Sequence, residues 1–355
     1  LKPRLPLLND ILDLGLPDNL ARLYAMVENI DANVGKVLAK LDELGLADDT
    51  IVVYTSDHGP CGSASINGEI RYNGELRAGK GSPYDGGLKV PSFWRWPGRF
   101  TAAEDIDRIA HPVDVMPTFA ALCGATLPGD RTIDGANLAP LLTGEIAPGD
   151  WPDRVVYHQW HRGDEPVRYR NFAAIAQQYK LARTHEDHAE ELYDIPADPR
   201  ETTDVAGEHP DVVEAMRAAY DAWFDDVSST RPDNYAPPRI VVGTEHENSV
   251  VLNRNDWRVK TGVDQWNQPQ HDGFWLITVA ESGGYALKVR VPPRDEPSVL
   301  RLMIGEQTWT AELDAGATEH AFADAELPAG DTRVDAVTTA GGRTYGAMFV
   351  HIEKR

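Results

Sequence analysis

The feature that most constrains this chain is a short apolar run that passes directly into charged residues. Residues 51–54 are apolar or aromatic, and Asp57, His58 and Gly59 follow after two further residues. A short apolar run bounded by turn residues predicts a buried strand of a parallel sheet. Ligands of such sheets bind beyond the carboxyl ends of the strands, so we expect Asp57 and His58 to border a binding site.

Asp57 and His58 offer two kinds of metal ligand at this predicted strand end. The carboxylate of Asp57 supplies a hard anionic oxygen and the imidazole of His58 supplies a nitrogen, so the pair can hold a divalent cation. The structural alternative is a turn in which Asp57 only hydrogen-bonds its neighbouring backbone. The two residue types alone do not decide between these interpretations.

Lys80 lies in a glycine-rich turn at residues 78–81, with sequence Ala-Gly-Lys-Gly. Flanking glycines let the backbone come close to a ligand, and an ammonium group suits a tetrahedral oxyanion as a point charge. A lysine between glycines can also be a solvated loop residue. For Arg77, which precedes the turn, we expect a structural ion pair or none.

Residues 56–60 (SDHGP) followed by 79–91 (GKGSPYDGGLKVP) resemble the type I sulfatases of the alkaline-phosphatase superfamily. That family carries T/S-D-N/H-G at a strand end, followed by G-K-G-x-x-Y-E/D-G-G-x-x-V/E-P. The resemblance continues through residues 24–46, WRWPG at 94–98, VDVMPT at 113–118, DGANLAPLL at 134–142 and ELYDIPADPRETTDVA at 191–206. It implies an α/β fold with a parallel-sheet sulfatase core, present here in part.

The resemblance also implies roles for individual residues. Asp57 and His58 would ligate Ca²⁺, with Mg²⁺ as the alternative ion, although the family more often has Asn where His58 stands. Lys80 would bind a sulfate oxygen and assist the leaving group. The family's nucleophile is a formylglycine, made from the cysteine or serine of C/S-x-P-S/A-x-R.

Neither cysteine of this chain lies in that nucleophile motif. Cys61 is followed by Gly-Ser, and Cys123 is followed by Gly-Ala. The chain therefore resembles the carboxyl-terminal part of a sulfatase that lacks the formylglycine region. Either the N-terminal part of the same sulfatase supplies the nucleophile and the remaining metal ligands, or the chain is a non-catalytic relative.

The pattern of predicted elements divides the chain into four parts. Residues 1–149 are predicted to be the carboxyl-terminal part of an α/β core, with an amphipathic helix at 18–44 and strands at 51–54 and 90–96. Residues 150–228 are predicted to form a small α+β subdomain with short strands and a helix at 212–224. Residues 229–239 have the composition of a linker. Residues 240–355 have regularly spaced strands and turn signals, which predict an appended all-β sandwich.

Three details of these elements are specific enough to be checked. Asp18 is the expected N-cap of the first helix and Gly45 the residue that ends it. Apolar residues at helical spacing, Val27 and Val37 among them, are expected to form one face of that helix. His111 precedes a helix predicted at 113–122, where a capping or packing role is expected rather than a ligand role.

Charge and composition limit the partners of the chain. The 355 residues carry a formal net charge of −22, which argues against nucleic acid and anionic membrane surfaces. No apolar run has the length of a membrane span. Two cysteines allow at most one disulfide and leave the redox compartment open. We expect a periplasmic or secreted location, with the cytoplasm not excluded.

Two regions could recognise a sugar. His161 and Arg162 follow a strand predicted at 154–160, and such polar planar groups can hydrogen-bond sugar hydroxyls or simply form a solvated loop. Phe274, Trp275 and Tyr285 lie in the predicted sandwich and could offer an aromatic face to a sugar. The alternative for these three aromatics is the sandwich core.

The resemblance predicts a sulfuric ester hydrolase that acts on sulfated carbohydrate. One alternative is a phosphomonoesterase or phosphodiesterase of the same superfamily, with a Ser or Thr nucleophile and zinc ligands. Another is a non-catalytic glycan-binding protein built on the sandwich. Oligomeric state is not readable from the sequence.

Overall fold

The chain has a mixed α/β architecture with several separate sheets. The computed structural model describes residues 15–61, 65–66, 69–102, 104–161, 166–230, 238–259 and 272–355. These residues form two compact units, one containing the described residues up to 230 and the other containing residues 238–259 and 272–355. Residues 231–237 of the predicted linker lie outside the described residues. The division of the chain into four parts stays a prediction.

The first unit contains five α-helices among its described residues. They are α1 Asp18–Glu43, α2 Asp85–Leu88, α3 Val115–Cys123, α4 Ala139–Leu142 and α5 Pro210–Ser228, with 3₁₀ turns at Ala47–Asp49, Pro112–Asp114 and Pro148–Asp150. Helix α1 ends as predicted, because Gly45 adopts the left-handed conformation with φ +67°. Its start differs, since Pro17 is the N-cap and Asp18 is already helical. Asp18 pairs with Arg22 instead of capping the helix, while its charge still favours the helix N-terminus.

The predicted apolar face of α1 is buried only at its start. Leu20, Ala21 and Ala25 are buried, whereas Val27 is 49% exposed and Val37 is 57% exposed. Helical periodicity shows which side chains share a face, but a face is buried only where another element covers it. Among the described residues, no element covers this face at Val27 and Val37.

Among the described residues, the strand that leads into Asp57 has an antiparallel partner and no parallel one. Strand β1 (Val52–Thr55) pairs antiparallel with β4 (Ser92–Arg95), and a separate hairpin is formed by β2 (Ser65–Ile66) and β3 (Glu69–Ile70). Tyr54 is 39% exposed and Phe93 is 67% exposed, so the predicted burial is also wrong. An apolar run indicates a strand, but the direction of its neighbour depends on which segment returns beside it. Here the chain reverses between β1 and β4.

The rest of the first unit is a four-stranded antiparallel sheet with one long helix. The strands follow each other in the order β5 (Val156–Gln159), β6 (Phe172–Ile175), β7 (Tyr179–Arg183) and β8 (Glu191–Asp194). Phe172, Leu181 and Leu192 of this sheet pack with Met216 and Tyr220 of α5. The strands and the helix predicted between residues 150 and 228 are present in the structure.

The second unit consists of two sheets that share one core. One sheet has the order β10 (Val250–Asn253), β19 (Phe349–Lys354), β13 (Gly283–Arg290) and β16 (Glu319–Leu327). The seven-stranded sheet has the order β11 (Arg258–Val259), β12 (Gly273–Val279), β17 (Gly330–Ala340), β14 (Ser298–Ile304) and β15 (Gln307–Leu313). In it β9 (Ile240–Val242) runs parallel to β12, and β18 (Arg343–Gly346) pairs with β17. A 3₁₀ turn spans Arg254–Asp256.

The aromatic residues of the sandwich belong mainly to its core. Trp275 and Tyr285 are fully buried in the core cluster. The ring of Phe274 is covered by the guanidinium of Arg333, whose Cζ lies 4.0 Å from the ring centroid. Trp275 and Tyr285 therefore offer no open face on which a sugar could stack, and Arg333 occupies one face of Phe274.

Two further observations concern compartment and membrane. Cys61 and Cys123 are both exposed and unpaired. In the described part of the chain, no helix combines the length and the apolarity that a bilayer span requires.

Candidate functional site

Asp57 and His58 lie directly beyond the carboxyl end of β1, with their side chains turned towards each other. The Asp57 Oδ2 and His58 Nε2 atoms are 3.1 Å apart, and the His58 backbone N–H donates to Asp57 Oδ1. His58 Nδ1 lies 2.7 Å from the carbonyl oxygen of Gly59. Because a carbonyl only accepts, Nδ1 carries a proton, and in the neutral ring Nε2 then keeps its lone pair.

This pair fits part of a cation site. Oδ2 of Asp57 and Nε2 of His58 are close enough to bind one ion together, and the Asp57 side chain is 80% exposed. In proteins, a calcium ion binds roughly six to eight oxygen ligands. No group of three or more His, Cys, Asp or Glu side chains with metal-binding geometry occurs among the residues that the structure describes. The pair therefore supplies two positions of a coordination shell and needs further ligands.

The Lys80 turn is hydrogen-bonded to this strand end. The backbone N–H of Lys80 donates to the carbonyl oxygen of Pro60 at 2.9 Å, and that of Gly59 donates to Gly87 at 2.9 Å. A Cβ atom at Gly59 would lie 1.8 Å from the oxygen of Gly86, so a side chain there would prevent this approach. Lys80 is exposed, and its ammonium has no ion-pair partner in the described part of the chain. The structure thus brings the turn of Lys80 next to Asp57 and His58.

Arg77 has structural contacts, in agreement with the sequence analysis. Its guanidinium donates to the hydroxyl of Tyr193 and to the backbone oxygen of Glu201. It also lies over the ring of Tyr84, 3.7 Å from the centroid, and 3.6 Å from a carboxylate oxygen of Glu191. These contacts connect the segment before Lys80 to the four-stranded sheet.

A buried ion cluster fixes the segment that follows Lys80. Lys180 of β7 is fully buried, with its Nζ 2.6 Å from Asp85 Oδ1 and 2.7 Å from Glu201 Oε1. The other oxygen of Glu201 accepts from the backbone N–H of Asp85 at 2.7 Å. Burial raises the pKa of Glu201, and the charge of Lys180 opposes that shift. This cluster, Lys180–Asp85–Glu201, joins the first residue of α2 to the four-stranded sheet.

Sequence patterns alone did not indicate that these three residues form a cluster. Asp85 and Glu201 both lie inside the motifs of the family resemblance, which was the available signal. Lys180 lies in a strand without a motif, so nothing in the sequence linked it to either carboxylate.

Two histidines lie close together near the cluster. The rings of His111 and His158 have centroids 4.5 Å apart. His111 caps the 3₁₀ turn at Pro112–Asp114, as expected, with its Nδ1 accepting from the N–H of Val113. Burial, together with the neighbouring His111 and Lys180, lowers the pKa of His158 to about 4. Burial also lowers the pKa of His111, so both imidazoles are neutral at neutral pH.

The residues expected to contact a sugar are only partly described. His161 follows β5 and is half-buried, and Arg162 lies outside the described residues. No hydrogen bond or ion pair joins His161 to Lys80 in the part of the chain that the structure covers. The nearby Gln159 has a structural role. Its amide oxygen accepts a hydrogen bond from the hydroxyl of Tyr220, and its amide nitrogen donates one to the backbone oxygen of Val167. The roles of His161 and Arg162 stay predictions.

Two family models and several known proteins resemble part of this chain. Residues 9–125 match the family model described as Sulfatase, and residues 79–221 match the model described as N-sulphoglucosamine sulphohydrolase, C-terminal. Steryl-sulfatase of Mus musculus is 41% identical over 152 residues, which cover 42% of this chain and 24% of that protein. N-acetylglucosamine-6-O-sulfatase of Bacteroides thetaiotaomicron is 34% identical over 185 residues, or 52% of this chain and 31% of that protein.

A solved structure agrees with these matches. Ps i-CgsB in complex with k-i-k-neocarrahexaose aligns with a TM-score of 0.50 and 27% identity, covering 59% of this chain and 44% of the other. The matched segment spans between 24% and 31% of the two curated relatives.

Proposed function

We propose that this chain, which belongs to the type I sulfatase family, contributes one side of the active site of a sulfuric ester hydrolase. The observation that carries the proposal is the hydrogen-bonded contact between the Asp57–His58 strand end and the Lys80 turn. The two segments have the order and spacing of the family motif, and they lie inside the residues that match the sulfatase model.

Lys80 is the catalytic residue in this proposal. When the bond between sulfur and the bridging oxygen breaks, negative charge develops on that oxygen. An ammonium close to it stabilises the transition state more than the ground state. The glycines beside Lys80 and the absence of an ion-pair partner among the described residues leave its ammonium available to a substrate.

Asp57 and His58 would hold the metal ion of the site, Ca²⁺ or alternatively Mg²⁺. The ion, when bound, would polarise the sulfate oxygens as a Lewis acid. Two ligand atoms 3.1 Å apart fit a shared cation, and the missing ligands would come from the N-terminal part of the same sulfatase. That part would also supply the formylglycine nucleophile, because neither Cys61 nor Cys123 lies in the required motif.

The proposed substrate is a sulfated carbohydrate. One relative is named for an N-acetylglucosamine-6-O-sulfate ester, and the aligned structure was solved with a carrahexaose. His161 and Arg162 are the residues proposed to contact the sugar. A sulfated polysaccharide is met outside the cytoplasm, which supports a periplasmic or secreted location. The sulfatase matches favour a sulfate ester over the phosphate ester of the alternative hydrolases.

The test uses the complete protein, in which this chain is joined to its N-terminal part, and measures sulfate release from N-acetylglucosamine 6-sulfate. Replacing Lys80 with Ala should lower kcat by about 10² or more, as for the loss of one preorganised stabilising group. Lys80→Arg should not restore the rate, because a broad guanidinium replaces a compact ammonium.

The matched control is Lys89→Ala, which removes another exposed lysine shortly after the same turn. It should leave kcat within about twofold of the parent, far from the effect of a transition-state group. Equal rates for the Lys80 and Lys89 variants would contradict the role of Lys80. Failure of the complete parent protein to release sulfate from any ester would instead favour a glycan-binding protein.

A further inference from the structure

A cavity of about 600 Å³ lies on the outer face of the seven-stranded sheet in the second unit. Such a volume is within the range of about 300–1,000 Å³ that is usual for small-molecule sites. Leu300 and Leu302 of β14 are buried in the core. Since side chains alternate along a strand, Val299 and Arg301 point away from that core. The residues that line the cavity are Asp272, Val299, Arg301, Thr310, Val337, Thr339 and Thr344.

The register of the sheet brings these side chains together. Arg301 lies opposite Thr310 on one neighbouring strand and opposite Val337 on the other. Val299 lies opposite Thr339, which in turn lies opposite Thr344 of β18. Directly opposed residues have Cβ atoms roughly 4.5–5.5 Å apart. One guanidinium, several hydroxyls and two apolar side chains therefore share a small surface.

Arg301 stands out because its guanidinium makes no direct ion pair with any described residue. The residue is exposed. Other arginines of the same unit are paired, with Arg333 bound to Asp335 at 2.6 Å and Arg239 to Asp331 at 3.0 Å. The chain has 56 acidic and 34 basic residues, so acidic partners are abundant. The five N–H donors of Arg301 are thus free to bind an anion.

The other groups of the cavity restrict the kind of anion. Threonine hydroxyls both donate and accept hydrogen bonds, and the carboxylate of Asp272 accepts them. The carboxylate of Asp272 would repel a ligand that carries only anionic groups. It would accept a hydrogen bond from a sugar hydroxyl. Val299 is 47% exposed and offers an apolar surface to a sugar ring. A ligand that carries a local negative charge beside neutral hydroxyls matches this arrangement.

We propose that this cavity binds a sulfated saccharide, with Arg301 on the sulfate group and Thr310, Thr339, Thr344 and Asp272 on the sugar hydroxyls. The ligand class is that of the proposed substrate, but the binding site is separate from Lys80 and involves no catalysis. Sugar binding here then depends on polar groups and on Val299, since no aromatic residue is among the described residues that line the cavity.

The experiment measures binding of the full chain to heparin and dextran sulfate oligosaccharides by isothermal titration calorimetry. The ionic strength is about 0.15 M, so that long-range attraction is screened. Arg301→Ala should weaken binding at least about tenfold, because hydrogen bonds to a charged group contribute about 1.5–3 kcal/mol. Dextran of the same length, which lacks sulfate, should bind at least about tenfold more weakly than dextran sulfate, for the same reason.

The matched control is Arg343→Ala, which removes an exposed arginine of β18 that does not line the cavity. Its affinity should equal that of the parent. The proposal is overturned if neither oligosaccharide binds, or if the Arg301 and Arg343 variants lose affinity equally. A failed sulfatase assay would leave these binding results unaffected.

Discussion

Lys180 places a positive charge where its side chain has no contact with solvent. The cost of removing an ammonium from water is several kcal/mol, and it is offset here by two carboxylates within 2.7 Å of the Nζ atom. Asp85 and Glu201 depend on Lys180 in the same way. The three residues lie far apart in the chain, so their mutual dependence exists only in the folded state.

Replacing Lys180 with Met should lower the free energy of unfolding of the first unit by about 3–5 kcal/mol, because two buried carboxylates lose their cation. Urea unfolding followed by circular dichroism measures this change. The control is Lys40→Met, which removes an exposed lysine paired with Glu43. Such surface pairs contribute at most about 1 kcal/mol. A loss below about 1 kcal/mol for Lys180→Met would show that the cluster does not stabilise the fold.

His158 should make the stability of the first unit sensitive to acid. Its pKa is lowered from 6.5 to about 4 in the fold, so the unfolded chain binds a proton that the folded chain does not. Stability is therefore fully present above pH 6.5 and declines as the pH falls towards 4. This one histidine can change the free energy of unfolding by at most about 1.4 kcal/mol per pH unit.

Comparing urea unfolding of the parent and His158→Gln between pH 7 and pH 4 isolates this contribution, because the neighbouring His111, Asp85 and Lys180 remain in both proteins. We expect the variant to lose stability less steeply with falling pH. His246→Gln changes a histidine whose side chain is 87% exposed and should keep the parent slope. Identical slopes for parent and His158→Gln would refute the prediction.

At the scale of elements, the site depends on close contact between three backbone segments. Gly86 N–H donates to the carbonyl oxygen of Arg77 at 2.8 Å, while Gly59 and Lys80 connect the end of β1 to the same loop. A Cβ atom at Gly86 would lie 2.2 Å from the oxygen of Arg77 and 2.3 Å from that of Ala78. Both are backbone atoms, which cannot rotate away. The turn of Lys80 is therefore positioned by packing that only glycine permits.

Gly86→Ala should consequently lower the free energy of unfolding by about 1–3 kcal/mol, as expected for overpacking a filled site. Gly35→Ala is the matched control, because a Cβ there meets no atom within 4 Å and the residue lies inside α1. That change should be neutral or stabilising by up to about 1 kcal/mol. Thermal unfolding of both variants measures the contrast, and a Gly86 variant as stable as the Gly35 variant would contradict the close contact.

At the scale of the whole molecule, two compact units carry two separate cores. Local patterns predicted most of their elements, because periodicity depends on neighbouring residues alone. The helix predicted at 18–44 spans Asp18–Glu43, and the helix predicted at 212–224 lies within α5. Strand β16 (Glu319–Leu327) was missed, since its sequence EHAFADAEL mixes alanine with acidic residues and buries only Ala325 and Leu327.

The sequence by itself determined most of the elements, the glycine-flanked turn of Lys80 and its association with Asp57 and His58. These features depend on local propensity and on motifs that lie within about 40 residues of one another. The tertiary structure decided the antiparallel partner of β1, the exposure of Val27 and Val37, the partners of Lys180 and the cavity around Arg301. Each of these depends on which distant segment lies alongside, and distant contacts form only when the loops between them close.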